Sequence, residues 1–334
     1  MTLPLVTFAI PAYSRPRLLA EALRSIAGQT AAVDFEVVIC DDGCREETRL
    51  AAGHFPGPCR YLPNRPALGA VANWNRCLRE AAGRWVMVLH EDDALYPWYL
   101  ASVLPRLRDG LAAVCTRTVQ GATAPILPPP EFRSSRSGLH PEVDHPDVAL
   151  CGSTGMASPS KKDAYFYPPA YFLKSSMTPF PGVLIRRDLA LRLGGFDERQ
   201  GPLADYEFWY RLSCAGPIEV VRSVGAFYRV APGQWTERAW SRMLRQTHLL
   251  RLRIAREQFP GAPRLGRWMA RFFTYRNAQS YARRFPERPE SLRRTLRLGR
   301  IPFSSAPSGW VWAALKVVSR NGGRTSGSAV SPCA

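Results

Sequence analysis

Arg84-Trp85-Val86-Met87-Val88-Leu89-His90-Glu91-Asp92-Asp93 passes from an apolar run, through one histidine, straight into three acids. A short apolar run bounded by polar residues reads as a buried strand. Just upstream, Ala70 to Ala82 has the apolar spacing of an amphipathic helix. Further back, Phe35-Glu36-Val37-Val38-Ile39-Cys40 is a second buried strand, and it too ends in acids, Asp41-Asp42-Gly43. Leu5-Val6-Thr7-Phe8-Ala9-Ile10, closed by Pro11, is a third. Between these two, Leu18, Leu19, Ala22, Leu23 and Ile26 recur at helical spacing. Strands alternating with helices predict an α/β fold, a mainly parallel sheet flanked by helices. Such sheets bind ligands beyond the carboxyl ends of their strands, where these acids stand.

The 334-residue chain is 46% hydrophobic and 22% charged, which excludes a disordered, collagen-like or coiled-coil protein. Its net charge of +18 is uneven. Residues 1–221 are neutral, with 23 basic and 23 acidic side chains, whereas the remainder has 22 basic and 4 acidic. The start lacks a basic, apolar leader. No window reaches the about 18 uncharged apolar residues of a membrane span. The 8 cysteines show no CxxC or zinc spacing and read as reduced thiols, so a cytoplasmic location is expected.

The domain reading follows. Residues 1–230 form the main domain, with residues 117–176, Pro-rich and weakly periodic, as an irregular insert. A helix is predicted over Asp205 to Ala215. Residues 231–319 form a basic helical extension, and the Gly/Ser-rich residues 320–334 a disordered tail.

Adjacent carboxylates repel, so Asp41-Asp42 and Glu91-Asp92-Asp93 need a compensating partner. A hard divalent cation, Mg²⁺ or Mn²⁺, takes oxygen ligands and bridges phosphates. An exposed polar turn is the plain alternative, most of all for Asp41-Asp42-Gly43. His90 reads as a core histidine in preference to a ligand. Asp205 stands where acids cap helices and favour the dipole. Trp209, Trp98 and Tyr99 are able to stack on the flat face of a ligand or to fill a core. His140 and His145 lie in the irregular segment, where ligand contacts are conceivable.

Taken in order, these stretches resemble glycosyltransferase family 2 over about residues 4–230. The series runs from Val6 to Arg15, through Val37 to Gly43, Asn64, Gly69, Asn73-Trp74-Asn75 and Ala82-Gly83-Arg84-Trp85, to Leu89 to Asp93. It continues in Gly194-Gly195-Phe196-Asp197 and Ala204 to Leu212. The resemblance implies a GT-A fold, a nucleotide-sugar donor, a hydroxyl acceptor, a divalent metal and inversion at the anomeric carbon. By position it implies that Pro11, Ala12 and Tyr13 hold the base and ribose, with Arg15 near the diphosphate. Asp42 would accept a hydrogen bond from the base imide, which favours UDP or dTDP. Asp92 would face the ribose, Asp93 would bind the metal, and Asp205 would be the general base. Gly195 and Trp209 are candidates on the acceptor side, and Glu207 is expected to point away. Two positions depart from the pattern: Ala204 replaces the usual Glu before the base, and Ala231 stands where some members place a metal-binding His.

Arg222 to Arg300 holds 19 Arg and 4 Glu with interspersed aromatics. Helices of this kind can rest on anionic lipid, which would make the protein peripheral to the inner membrane face. They can equally pack on the catalytic domain with a solvated Arg face. Nucleic acid is the least favoured partner. The rival to an enzyme is a non-catalytic or nucleic-acid-binding protein on the same scaffold.

Overall fold

Strands β1 (Val6–Ala12), β2 (Phe35–Asp41), β3 (Cys59–Pro63) and β4 (Trp85–Val88) lie parallel in the order β3-β2-β1-β4 in the computed structural model. The structure describes residues 3–123, 164–177, 180–230 and 235–284. Val6 to Ile10 of β1 are wholly buried, as a strand covered on both faces must be. One cover is α1 (Pro16–Ala27), which buries Leu19, Ala22, Leu23 and Ile26 in a cluster with Phe8, Ile10 and Met87. Pro16 suits the first turn of that helix, where its missing N–H costs nothing. α2 (Glu46–Gly53) and α3 (Ala70–Glu80) complete the parallel half.

The register ends β1 and β2 level, and β4 three residues short of the end of β1. Ala12 pairs with Asp41, and Ala9 with Val88. Three more hydrogen bonds continue the ladders past the strands: Leu89 N–H to Ala9 O (2.9 Å), Asp42 N–H to Ala12 O (2.9 Å) and Asn64 N–H to Asp41 O (2.8 Å). The acids after β2 and β4 therefore emerge on one edge of the sheet.

Beyond β4 the sheet is mixed. It continues through β8 (Val183–Arg186), β6 (Ala113–Gly121), β9 (Ile218–Arg229) and β5 (Ala94–Leu95), while β7 (Ala164–Tyr167) also pairs with β9. β8 enters antiparallel to both β4 and β6, and β6 runs parallel to β9. The mainly parallel sheet expected from the sequence is thus realised in its first half. The short helices α4 (Tyr99–Val103) and α5 (Arg187–Arg192), with α6 (Ala204–Ala215), flank the mixed half.

The irregular insert expected over residues 117–176 begins later than its sequence suggested. Residues 117–121 complete β6, and 164–167 form β7. Thr116, Arg117 and Thr118 interrupt the apolar pattern, yet they are buried beside a register shift against β9. Residues 124–163, with His140 and His145, lie outside the described residues.

The chain divides into two compact units, Met1–Tyr167 with Ser175–Met243, and Pro168–Lys174 with Leu244–Ala334. Two helices, α7 (Trp235–Gln258) and α8 (Pro263–Arg284), fall in the expected basic extension. Within the second unit Arg251 is fully buried and donates Nη2–H to the Lys174 carbonyl (2.6 Å). Residues 285–334, and with them the expected tail, lie outside the described residues. Among the described residues no helix is long and apolar enough to cross a membrane, and the cysteines are free thiols.

Asn75 ties α3 to the loop before α6. Its Nδ2–H donates to the Phe196 carbonyl (2.9 Å), and its Oδ1 accepts the Phe196 N–H (2.8 Å). Asn75→Ala leaves both backbone groups unpartnered in a dry setting. A loss of about 2 kcal/mol or more is expected, read from urea unfolding.

Candidate active site

Glu91, 5% exposed, follows β4 and turns its carboxylate onto the loop after β1. Oε2 accepts the Tyr13 N–H (3.1 Å) and the Arg15 N–H (3.4 Å), and Oε1 accepts the Ser14 N–H (3.4 Å). The Arg15 guanidinium stands 3.9 Å from Oε1 and pairs with Asp92. Burial pushes the Glu91 carboxyl up from its ordinary range, while the three N–H groups and Arg15 oppose that rise.

Asp93 is 1% exposed. Its Oδ1 accepts the Arg229 N–H (3.0 Å), and its Oδ2 is buried with no hydrogen-bond partner. Burial, then the neighbouring Asp92 charge, push its carboxyl well above the usual range, against the pull of Arg229 and Arg15. His90 Nε2 is likewise buried without a partner. Burial holds the His90 imidazole neutral, with its affinity for a proton lowered. One ligand atom each from His90, Asp92 and Asp93 lies within 4.8 Å of the others. Two orphaned polar atoms inside a carboxylate–imidazole group fit a divalent cation, since burial without a partner is otherwise costly. The core role expected for His90 holds too: its ring stacks on Trp74 (5.4 Å) and lies 4.6 Å from Phe180.

Asp42 receives the loop before α3. Its Oδ1 accepts from Leu68 N–H (3.0 Å) and Asn64 Nδ2–H, and its Oδ2 from Gly69 N–H (2.8 Å). Both oxygens therefore already have donors from the protein. Pro11 and Ala12 end β1, and Tyr13 beyond them is 64% exposed. A Cβ on Gly43 would meet the Tyr13 carbonyl oxygen at 1.3 Å, so the loops after β1 and β2 touch backbone to backbone.

Asp205 lies in the first turn of α6 and accepts the Tyr206 N–H at 2.7 Å. Burial pushes its carboxyl up to about 6, against that hydrogen bond. Glu207 pairs with Arg211 (2.8 Å), away from any role with Asp205, as expected.

Of the two acceptor-side candidates, Trp209 is ruled out by its burial, and for Gly195 the structure shows a backbone role. Trp209 is fully buried, its ring packed by Phe180, Phe196 and Phe208, so no sugar can stack on it. Gly195 serves the backbone: φ is +69°, and a Cβ there would meet Asn75 Oδ1 at 2.4 Å. The sequence reading also left out Arg229 and Glu21. Arg229 Nε–H donates to the Asp92 carbonyl (2.9 Å) and Nη2–H to Glu21 Oε2 (2.6 Å). The Tyr228-Arg229 pair was the visible signal for one of them. Ala231 lies outside the described residues.

The sequence profile of Glycosyl transferase family 2 matches residues 7–147, which carry β1 to β4 and all three acids. The match covers less than half of the chain. A protein of Mycobacterium tuberculosis is 30% identical over 218 residues, 63% of this chain and 62% of its own length. The chain thus spans about three fifths of the first curated relatives it matches. An Escherichia coli relative, 31% identical over 27% of this chain and 35% of its own, is named a UDP-Glc:α-D-GlcNAc-diphosphoundecaprenol β-1,3-glucosyltransferase. The solved mannosyltransferase of Pyrobaculum calidifontis, in complex with GDP-Man and Mn²⁺, superposes with a TM-score of 0.53. It covers 96% of this chain and 81% of its own at 16% identity, a likeness of fold, here the GT-A fold of the family.

Glu91→Gln places an amide NH₂ among three N–H donors. The amides of Tyr13, Ser14 and Arg15 are expected to exchange hydrogen faster than in the wild type, by about tenfold or more for the loss of hydrogen bonds to a charged group.

Proposed function

We propose that this protein is an inverting glycosyltransferase of family 2, moving a sugar from a nucleoside-diphosphate donor, UDP or dTDP by preference, to an acceptor hydroxyl. The observation that carries the reading is the buried, partnerless pair Asp93 Oδ2 and His90 Nε2 at the carboxyl end of β4, with Asp92 beside them. The named donors of the E. coli and Pyrobaculum proteins, UDP-Glc and GDP-Man, support a nucleotide sugar. The E. coli name also supports a lipid-linked saccharide among the candidate acceptors.

Asp93, with His90 and Asp92, would hold Mn²⁺ or Mg²⁺. When bound, such a cation neutralises charge on a departing diphosphate. The loop of Pro11, Ala12 and Tyr13, fastened by Glu91, would carry the nucleoside, and Arg15 would face the diphosphate. Asp42, already donated to by the loop before α3, would meet the base from the other side. Asp205 would take the proton from the attacking hydroxyl as the bond to the diphosphate breaks on the opposite face of the sugar, and this single displacement inverts the anomeric carbon. A carboxyl near 6 is ionised at neutral pH yet more basic than an ordinary Asp, which suits that task.

Calorimetric titration with UDP, dTDP, GDP and CDP, with and without Mn²⁺, tests the donor side. Metal-dependent binding of one nucleotide is expected. Its loss in Asp93→Ala, with the fold intact by circular dichroism, would tie it to this carboxylate. No binding of any nucleotide would overturn the reading.

Asp205→Asn is expected to keep nucleotide binding and to lower kcat by about 10³-fold, the scale of a lost general base. In the wild type kcat should rise with pH through about 6 and then level off, as Asp205 ionises. Stability runs the opposite way. The folded carboxyl binds its proton more tightly than the ordinary value of 3.8, so this group's contribution is lost as pH rises from 3.8 to about 6. Asp205→Asn should therefore melt no lower than the wild type at pH 7. A variant that melts lower would indicate a structural Asp.

A further inference from the structure

Arg229, the last residue of β9, touches the acid turn from both its main chain and its side chain. Its N–H fixes Asp93 Oδ1 at 3.0 Å, which leaves Oδ2 as the presented oxygen. Its guanidinium donates Nε–H to the Asp92 carbonyl (2.9 Å), Nη1–H to the Ala122 carbonyl (2.9 Å) and Nη2–H to Glu21 Oε2 (2.6 Å). Those acceptors belong to the turn after β4, the residue just past β6, and α1. A planar guanidinium offers its donors in a fixed fork, so holding three acceptors at once sets the place of each relative to the others. A lysine ammonium has no such fork. The charge matters as well. A guanidinium with only 10% of its side chain exposed, this close to a candidate cation site, repels the cation unless an acid offsets it. Glu21, 41% exposed, supplies the offset at Nη2.

We propose that Arg229 and Glu21 are a positioning pair that sets the cation affinity of the His90–Asp92–Asp93 group: Arg229 aims the carboxylates, and Glu21 cancels the charge Arg229 brings. The proposal rests on the metal-assisted reading above and adds to it two residues with no expected contact to donor or acceptor. Neutralising Glu21 leaves Arg229 uncompensated, while Arg229→Lys keeps the charge and gives up the fork. Residues that orient metal ligands commonly change affinity 10- to 100-fold.

The test is Mn²⁺ titration of the full chain, followed by loss of the free-ion electron paramagnetic resonance signal, alone and with each of UDP, dTDP, GDP and CDP. Thermal midpoint and metal-free nucleotide binding are measured alongside. Glu21→Gln is expected to weaken Mn²⁺ binding about tenfold while leaving midpoint and metal-free nucleotide binding unchanged. Arg229→Lys should weaken it by at least as much, and the double variant by less than the product of the two, since both act through one unit. Should Arg229→Lys fail to fold, Glu21→Gln decides alone, its side chain being the more exposed of the pair. Wild-type Mn²⁺ affinity in Glu21→Gln overturns the pair, as does a loss matched by an equal loss of metal-free nucleotide binding. A wild-type protein that takes up no Mn²⁺ under any condition overturns the metal reading and the pair together.

Discussion

One carboxylate, Glu91, holds the loop after β1 by three consecutive backbone N–H groups. Everything at the carboxyl edge depends on that grip. Burying an acid is costly unless its lone pairs are met, and here successive amides of a turn meet them. The same side chain thereby fixes two elements, the exit of β1 and the exit of β4. With β1 and β4 already paired in register, the loop has little freedom left, and Arg15 is delivered to Asp92.

The three successive acids then divide the labour by environment. Glu91 is satisfied by backbone, Asp92 by the Arg15 cation, and Asp93 only half, through the Arg229 N–H. That gradient, from fully met to half met across three residues, is what identifies Asp93 as the one with a bond to give. Asp205 sits in a different setting, raised chiefly by burial against the pull of backbone N–H groups. On the proposed reading, a cation-binding acid and a proton-accepting acid would arise from one residue type placed in two surroundings.

The parallel half of the sheet was legible because its strands are buried on both faces and read as unbroken apolar runs. β3 was not: Cys59-Arg60-Tyr61-Leu62-Pro63 lies at the sheet edge, largely half-exposed, and its polar residues hide the period. β6 was not read either, for the opposite reason: Thr116, Arg117 and Thr118 break its apolar run, yet they are buried. In the site, the acids after β2 and β4 announced themselves by clustering. Arg229 and Glu21 could not, because 208 residues separate them and each alone resembles an ordinary surface charge. Trp209 misled because an aromatic in the middle of a helix has the same local pattern whether it faces a sugar or Phe196. Only the neighbours 13 and 29 positions away decide it, and those are long-range facts.

The meeting of Gly43 with the Tyr13 carbonyl has an evolutionary meaning. Two loops that share a backbone contact with no room for a single carbon atom cannot drift apart independently. Any inherited change in the path of one requires a matching change in the other, or a glycine kept between them. For protein engineers the two loops are one cassette: grafting only the loop after β2 from a relative would meet a mismatched neighbour, whereas moving both together preserves the fit.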